Sequence, residues 1–143
     1  MNKQLYQQTV LKHNRDPRNY GELSPCSHHA EGLNPLCGDE VQIYMQVDNN
    51  AVSELQFTGK GCAIMMASAS IMTESLSGKN LTEADAQYIE FLEMTKGEKT
   101  DLEGELGAFS GICQFPSRVK CAELPWKTFK AALDDNHEKV STE

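Results

Sequence analysis

Two alternating segments joined by a short polar break, VQIYMQV at 41–47 and AVSELQF at 51–57, constrain the fold of this chain most. Successive side chains of an extended strand point to opposite faces, so Val41, Ile43, Met45 and Val47 share one side. Asp48, Asn49 and Asn50 form a turn, and Val52, Leu55 and Phe57 continue the apolar face after a slip of one residue. This is the signature of a β-hairpin with one face to be covered. A hairpin alone cannot bury that face, so the remainder of the chain must supply the cover.

The cover reads as helical. Leu5–His13 carries helix-spaced apolar residues and must end near Pro17. Arg15–Pro35 is rich in Asn, Gly, Pro and Ser and reads as an extended loop. After the glycines of TGKGC, AIMMASASIMTESL at 63–76 is a helix whose small residues allow close packing, and Met65, Met66 and Met72 are core filling. Leu81–Met94 is a third helix capped by Asn80 or Thr82. A short helix near Leu102–Phe109 and a final helix over Val119–Leu133 follow, with Pro125 expected in the first turn. Trp126 is expected to pack this last helix onto the sheet, and the acidic residues of EGELGAFSG to form a solvated face. The expected class is α+β: a small antiparallel sheet of about three strands with helices on one face, a single domain over 1–143, and a flexible polar tail over 134–143.

Thirteen basic against 21 acidic residues give a net charge of −8, which argues against nucleic acid as a partner. The opening residues lack a signal-peptide core, and no apolar run could span a bilayer, so a cytoplasmic protein with no membrane partner is expected. In that compartment the five cysteines read as thiols rather than as disulfides.

Three of those thiols stand in reactive contexts. Cys37 and Asp39 flank Gly38, and residues two apart on a strand share a face about 6.6 Å apart. The glycine lets the backbone tighten enough for both side chains to reach one ion. Cys62 immediately precedes a helix, and Cys121 is expected near the start of another, after Arg118 and Lys120. Both positions favour thiolate through free N–H groups and the helix dipole. Three sulfurs and one carboxylate form a set suited to zinc or iron–sulfur chemistry. Widely separated cysteines are also commonly independent buried residues, and this spacing matches no zinc finger, so residue types alone leave both readings open.

The segments HNRDPRNYGEL, NPLCGD, GKGCAIMMASASIMTESLSGK and FPSRVKCAELPWKTF resemble, in order and over about residues 3–133, the iron–sulfur cluster assembly family built on the NifU N-terminal (IscU-like) domain. The resemblance implies that domain's fold and puts the family's ligand positions on Cys37, Asp39, Cys62 and Cys121. In IscU-type scaffolds a histidine directly precedes the third cysteine, with a Leu-Pro-Pro-Val-Lys motif just upstream. Here Lys120 precedes Cys121, the segment reads CQFPSRVK, and 58 residues separate Cys62 from Cys121, as in the SufU-type branch with its insertion.

That branch implies a zinc-dependent, sulfurtransferase-like acceptor of persulfide sulfur from a SufS-type cysteine desulfurase. The sulfur then passes to downstream Fe–S scaffold or apo-protein recipients. Cys37 is implied as the accepting thiol, with Asp39, Cys62 and Cys121 holding zinc. The rival reading is a scaffold that assembles a [2Fe–2S] cluster on the same residues, with iron in place of zinc. A purely structural zinc domain is a further alternative. A thiol hydrolase would need a histidine beside its cysteine, and His13, His28, His29 and His137 all lie outside the Cys motifs. Arg118 is either a stabiliser of the thiolates or of Asp39, or an exposed solubility residue. Cys26, His28 and His29 mimic a metal cluster but read as a solvated loop, and Cys113 as a plain thiol.

Overall fold

The computed structural model describes residues 3–98, 102–135 and 138–142. The hairpin forms as the alternation requires: β2 (Asp39–Asp48) pairs antiparallel with β3 (Ala51–Lys60). Asn49 and Asn50 take positive φ of 51° and 61°, a conformation that asparagine tolerates better than most residues. The slip is a register shift between Gln46 and Val47. Along β2, Asp39, Val41, Ile43 and Met45 are buried in strict alternation, so the carboxylate lies on the core-facing side.

The sheet is larger than the sequence implied. His28–Asn34, expected to be loop, forms β1, antiparallel to β2 with Asn34 opposite Asp39. Its alternation is hidden because the buried positions are Ala30, Gly32 and Asn34 rather than large apolar residues. From the tail, Val140–Ser141 forms β4, which pairs parallel to β1. The order is β3-β2-β1-β4, a mixed four-stranded sheet.

Four helices cover it: α1 (Lys3–Arg15), α2 (Ala63–Leu76), α3 (Leu81–Thr95) and α4 (Pro116–Leu133). Two 3₁₀ turns, Gly104–Phe109 and Ile112–Gln114, link α3 to α4. Asn80 caps α3 through a full capping box with Glu83. α4 begins earlier than expected, because Pro116 occupies its first turn. Pro125 therefore lies inside the helix, where its absent N–H leaves the Cys121 carbonyl without its usual i+4 donor. Trp126 stacks on Phe91 of α3 at 4.2 Å and donates to Ser68 Oγ of α2 at 3.1 Å. These contacts tie helix to helix. Met65 and Met72 are fully buried in the core, and Met66 packs against it.

α4 crosses β1 closely. A Cβ on Gly32 would meet Thr128 Oγ1 at 2.1 Å, so only glycine admits the helix there. That approach carries Cys121 to the end of the sheet where β1 turns into β2.

Candidate metal centre

The turn from β1 to β2 is Pro35-Leu36-Cys37-Gly38, and Gly38 adopts φ of +72°, which glycine takes without penalty. Cys37 is exposed on this turn, beside Leu36, which is 65% exposed. Asp39 begins β2 and is fully buried. Its Oδ1 accepts from the backbone N–H of Cys62 at 2.8 Å, and its Oδ2 accepts from Asn34 Nδ2 at 3.0 Å. Gly61 makes this possible, because a Cβ there would meet Asp39 Oδ1 at 2.3 Å.

Cys62 is the N-cap of α2, and its sulfur accepts from Met65 N–H at 3.4 Å. The same sulfur lies 3.8 Å from Asp39 Oδ2. Cys121, 2% exposed, is the sixth residue of α4 rather than part of its first turn. Its sulfur lies 3.4 Å from Cys37 Sγ and 3.5 Å from Asn34 Nδ2. One ligand atom each from Cys37, Asp39 and Cys121 lies within 4.8 Å of the others, and Cys62 adjoins them through Asp39. The four residues thus meet from a turn, a strand end, a helix cap and a helix interior.

At Cys62 and Cys121 burial works against the ionised form that the sequence context favours. Burial pushes the Cys62 thiol up and outweighs the Met65 N–H that favours its ionised form. Burial also pushes Cys121 up, reinforced by its hydrogen-bonding neighbours Cys62, Asp39 and Cys37. A fully buried carboxylate held by an amide and a carboxamide has only neutral donors. Among the described residues no lysine or arginine pairs with it. Buried charge of this kind calls for a cation. Thiolate sulfur and carboxylate oxygen are donors that zinc accepts, and the sulfurs equally suit iron–sulfur clusters.

Other candidates resolve differently. Arg118 lies over the ring of Phe115 at 4.5 Å and near Tyr6 at 6.0 Å. His28 bonds Ser27, and His29 bonds Gln42 beside Tyr44, so among the described residues the CSHH segment assembles no metal group. His137 lies outside the described residues. His13 is fully buried between Ser70 Oγ at 2.6 Å and Glu105 Oε2 at 2.9 Å. Glu105, expected in a solvated face, therefore clasps α1. His13, Glu74 and Glu105 also approach one another, but Lys12 and Arg18 already compensate the two carboxylates. Sequence reasoning missed Asn34 and Gly61, which hold Asp39 in place. Asn34 opens the NPLCGD segment, but nothing local marks it as buried.

Among the described residues no helix is long and apolar enough to cross a membrane. The chain is 39% identical over 132 residues to the zinc-dependent sulfurtransferase SufU of Bacillus subtilis, covering 90% of this chain and 89% of that protein. It is 37% identical over 134 residues to the iron-sulfur cluster assembly scaffold protein IscU of Thermotoga maritima, covering 92% and 94%. Its structure matches the crystal structure of FiSufU from Fervidobacterium islandicum AW-1 with a TM-score of 0.84 at 32% identity, over 93% of this chain and 99% of that one. Residues 5–143 match the NifU-like N terminal domain, and the chain belongs to that family.

Proposed function

We propose that this chain, acting as one domain in the cytoplasm, is a zinc-dependent acceptor of persulfide sulfur in iron–sulfur cluster biogenesis. Its donor is a cysteine desulfurase, and its recipients are downstream Fe–S scaffolds or apo-proteins. Cys37 is the accepting thiol, and Asp39, Cys62 and Cys121 hold the metal. The observation that carries this reading is the contrast in exposure: Cys37 is exposed at a turn tip, whereas Asp39 and Cys121 beside it are buried. Kinship with a zinc-dependent sulfurtransferase supports the choice of metal.

When bound, zinc supplies the positive charge that keeps the surrounding thiols ionised. The chemistry asked of the chain is a redox-neutral exchange. The Cys37 thiolate attacks the outer sulfur of the donor's persulfide, a new S–S bond forms on Cys37, and the donor's S–S bond breaks. The electron pair leaves with the donor's thiolate. The turn presents Cys37 outward, while the strand and helices keep Asp39 and Cys121 out of a partner's reach.

Kinship with proteins named as scaffolds supports a second reading, in which the same residues carry a [2Fe–2S] cluster. Metal analysis of anaerobically purified protein, with a visible spectrum of the same sample, separates the two. About one zinc per chain without absorption beyond the protein band upholds sulfur acceptance. Iron with acid-labile sulfide and a brown colour moves the assignment to the scaffold.

A further inference from the structure

Asn34 is a fully buried polar residue at the last position of β1, outside the four proposed ligands. Its Nδ2 donates to Asp39 Oδ2 at 3.0 Å and to Cys121 Sγ at 3.5 Å. One carboxamide thus touches two ligands borne on different elements, a strand and a helix. The orientation of the amide is chemically fixed, because a carboxylate can only accept and the NH₂ end must face it. The other end is also held: Thr142 Oγ1 donates to Asn34 Oδ1 at 2.8 Å. Thr142 is placed by the tail, since its N–H donates to Leu33 O at 3.2 Å and Val140–Ser141 runs parallel to Gly32–Leu33.

We infer that Asn34 is a positioning residue for the metal ligands, aiming Asp39 Oδ2 and Cys121 Sγ at a common point, and that the C-terminal strand locks it through Thr142. This rests on the metal reading of the site given above. Ligand carboxylates are commonly held by such outer hydrogen bonds, whose removal costs roughly 10- to 100-fold in metal affinity. The arrangement also gives the polar tail a role: β4 closes the shell around the site from the sheet edge where it pairs with β1.

The test uses cobalt(II) as a spectroscopic probe and zinc in competition with a chromophoric chelator, on the full chain under anaerobic conditions. Asn34→Ala is expected to bind zinc about 10- to 100-fold more weakly and to shift the thiolate-to-cobalt and d–d bands. Thr142→Val, which removes one neutral hydrogen bond and leaves every proposed ligand intact, is expected to weaken zinc about fivefold. It decides the matter should Asn34→Ala fail to fold. Wild-type affinity and wild-type cobalt spectra in the folded variants would overturn the positioning role while leaving the ligands standing. A lowered melting temperature of the metal-free variants, with the loaded spectrum and zinc affinity unchanged, would reduce Asn34 to a structural role and also overturn it. A wild-type chain showing no thiolate-to-cobalt band would overturn the metal reading itself, and the inference with it.

Discussion

At the residue scale, the proposed site divides its labour by burial. Cys37 touches solvent on a turn, so Cys37→Ala should leave the melting temperature of the metal-free protein nearly unchanged and abolish sulfur acceptance. Mass spectrometry of the chain after incubation with a desulfurase and cysteine reads this directly; a variant that still gains one sulfur atom per chain would remove Cys37 from its role. Cys121 is buried and its sulfur meets Cys37 and Asn34, so Cys121→Ala should abolish the gain in melting temperature expected of the native chain with zinc. An undiminished gain would exclude it as a ligand. Gly61 offers a sharper test, since it contributes no ligand atom. A methyl group at this position would collide with Asp39 Oδ1, Cα and Cγ. Gly61→Ala should therefore displace the carboxylate and weaken zinc at least about tenfold by chelator competition, the scale of a disturbed outer hydrogen bond. Unchanged affinity would mean that Asp39 is not a ligand, or that the strand end moves to accommodate the methyl.

At the element scale, α4 joins the site to the core. Cys121 faces β1 and β2 near one end of the helix, and five residues on, Trp126 is buried against Phe91 and Ser68. Trp126→Ala should cost about 3–5 kcal/mol, the usual range for emptying a buried aromatic site. It should also weaken zinc by loosening the helix that carries Cys121. Urea unfolding of the metal-free protein and zinc competition measure the two effects separately. The capping box of α3 lies away from the site, so Asn80→Ala should cost about 1 kcal/mol without altering metal affinity. Legibility in the sequence also differs by element. The hairpin and the bounds of α2 and α3 are readable because alternation, helical spacing and caps are local signals. β1 is not, because its buried positions hold Ala30, Gly32 and Asn34, whose fitness for a strand depends on Thr128 and Asp39 arriving from elsewhere. The start of α4 is less legible, because two prolines compete for one first-turn role, and only packing decides that Pro116 takes it.

At the scale of the whole molecule, the N-terminal helix is secured to the 3₁₀ segment by the clasp of His13, Lys12 and Glu105. Burial pushes the Glu105 carboxyl up, but the hydrogen bonds and charges of His13 and Lys12 outweigh it and hold it below its ordinary value of 4.5. A carboxylate depressed on folding contributes stability that is present above its unfolded value and is lost as pH falls through its folded one. Unfolding free energy should therefore decline as the pH drops below the ordinary glutamate range, and Glu105→Gln should flatten part of that decline. Denaturant titrations at a series of acidic pH values check this; parallel curves for the two proteins would show that the clasp contributes nothing. The sequence by itself determined the α+β class, the hairpin and the thiol and carboxylate types available, because alternation, helix spacing and donor chemistry are properties of short segments. Only the tertiary structure decided that Cys37, Asp39, Cys62 and Cys121 share one place, that burial outweighs the Met65 N–H at Cys62, and that Asn34 and Thr142 reach the same point. These depend on the close crossing of α4 over Gly32 and on a parallel strand from the tail, contacts between residues far apart in the chain that no local pattern encodes.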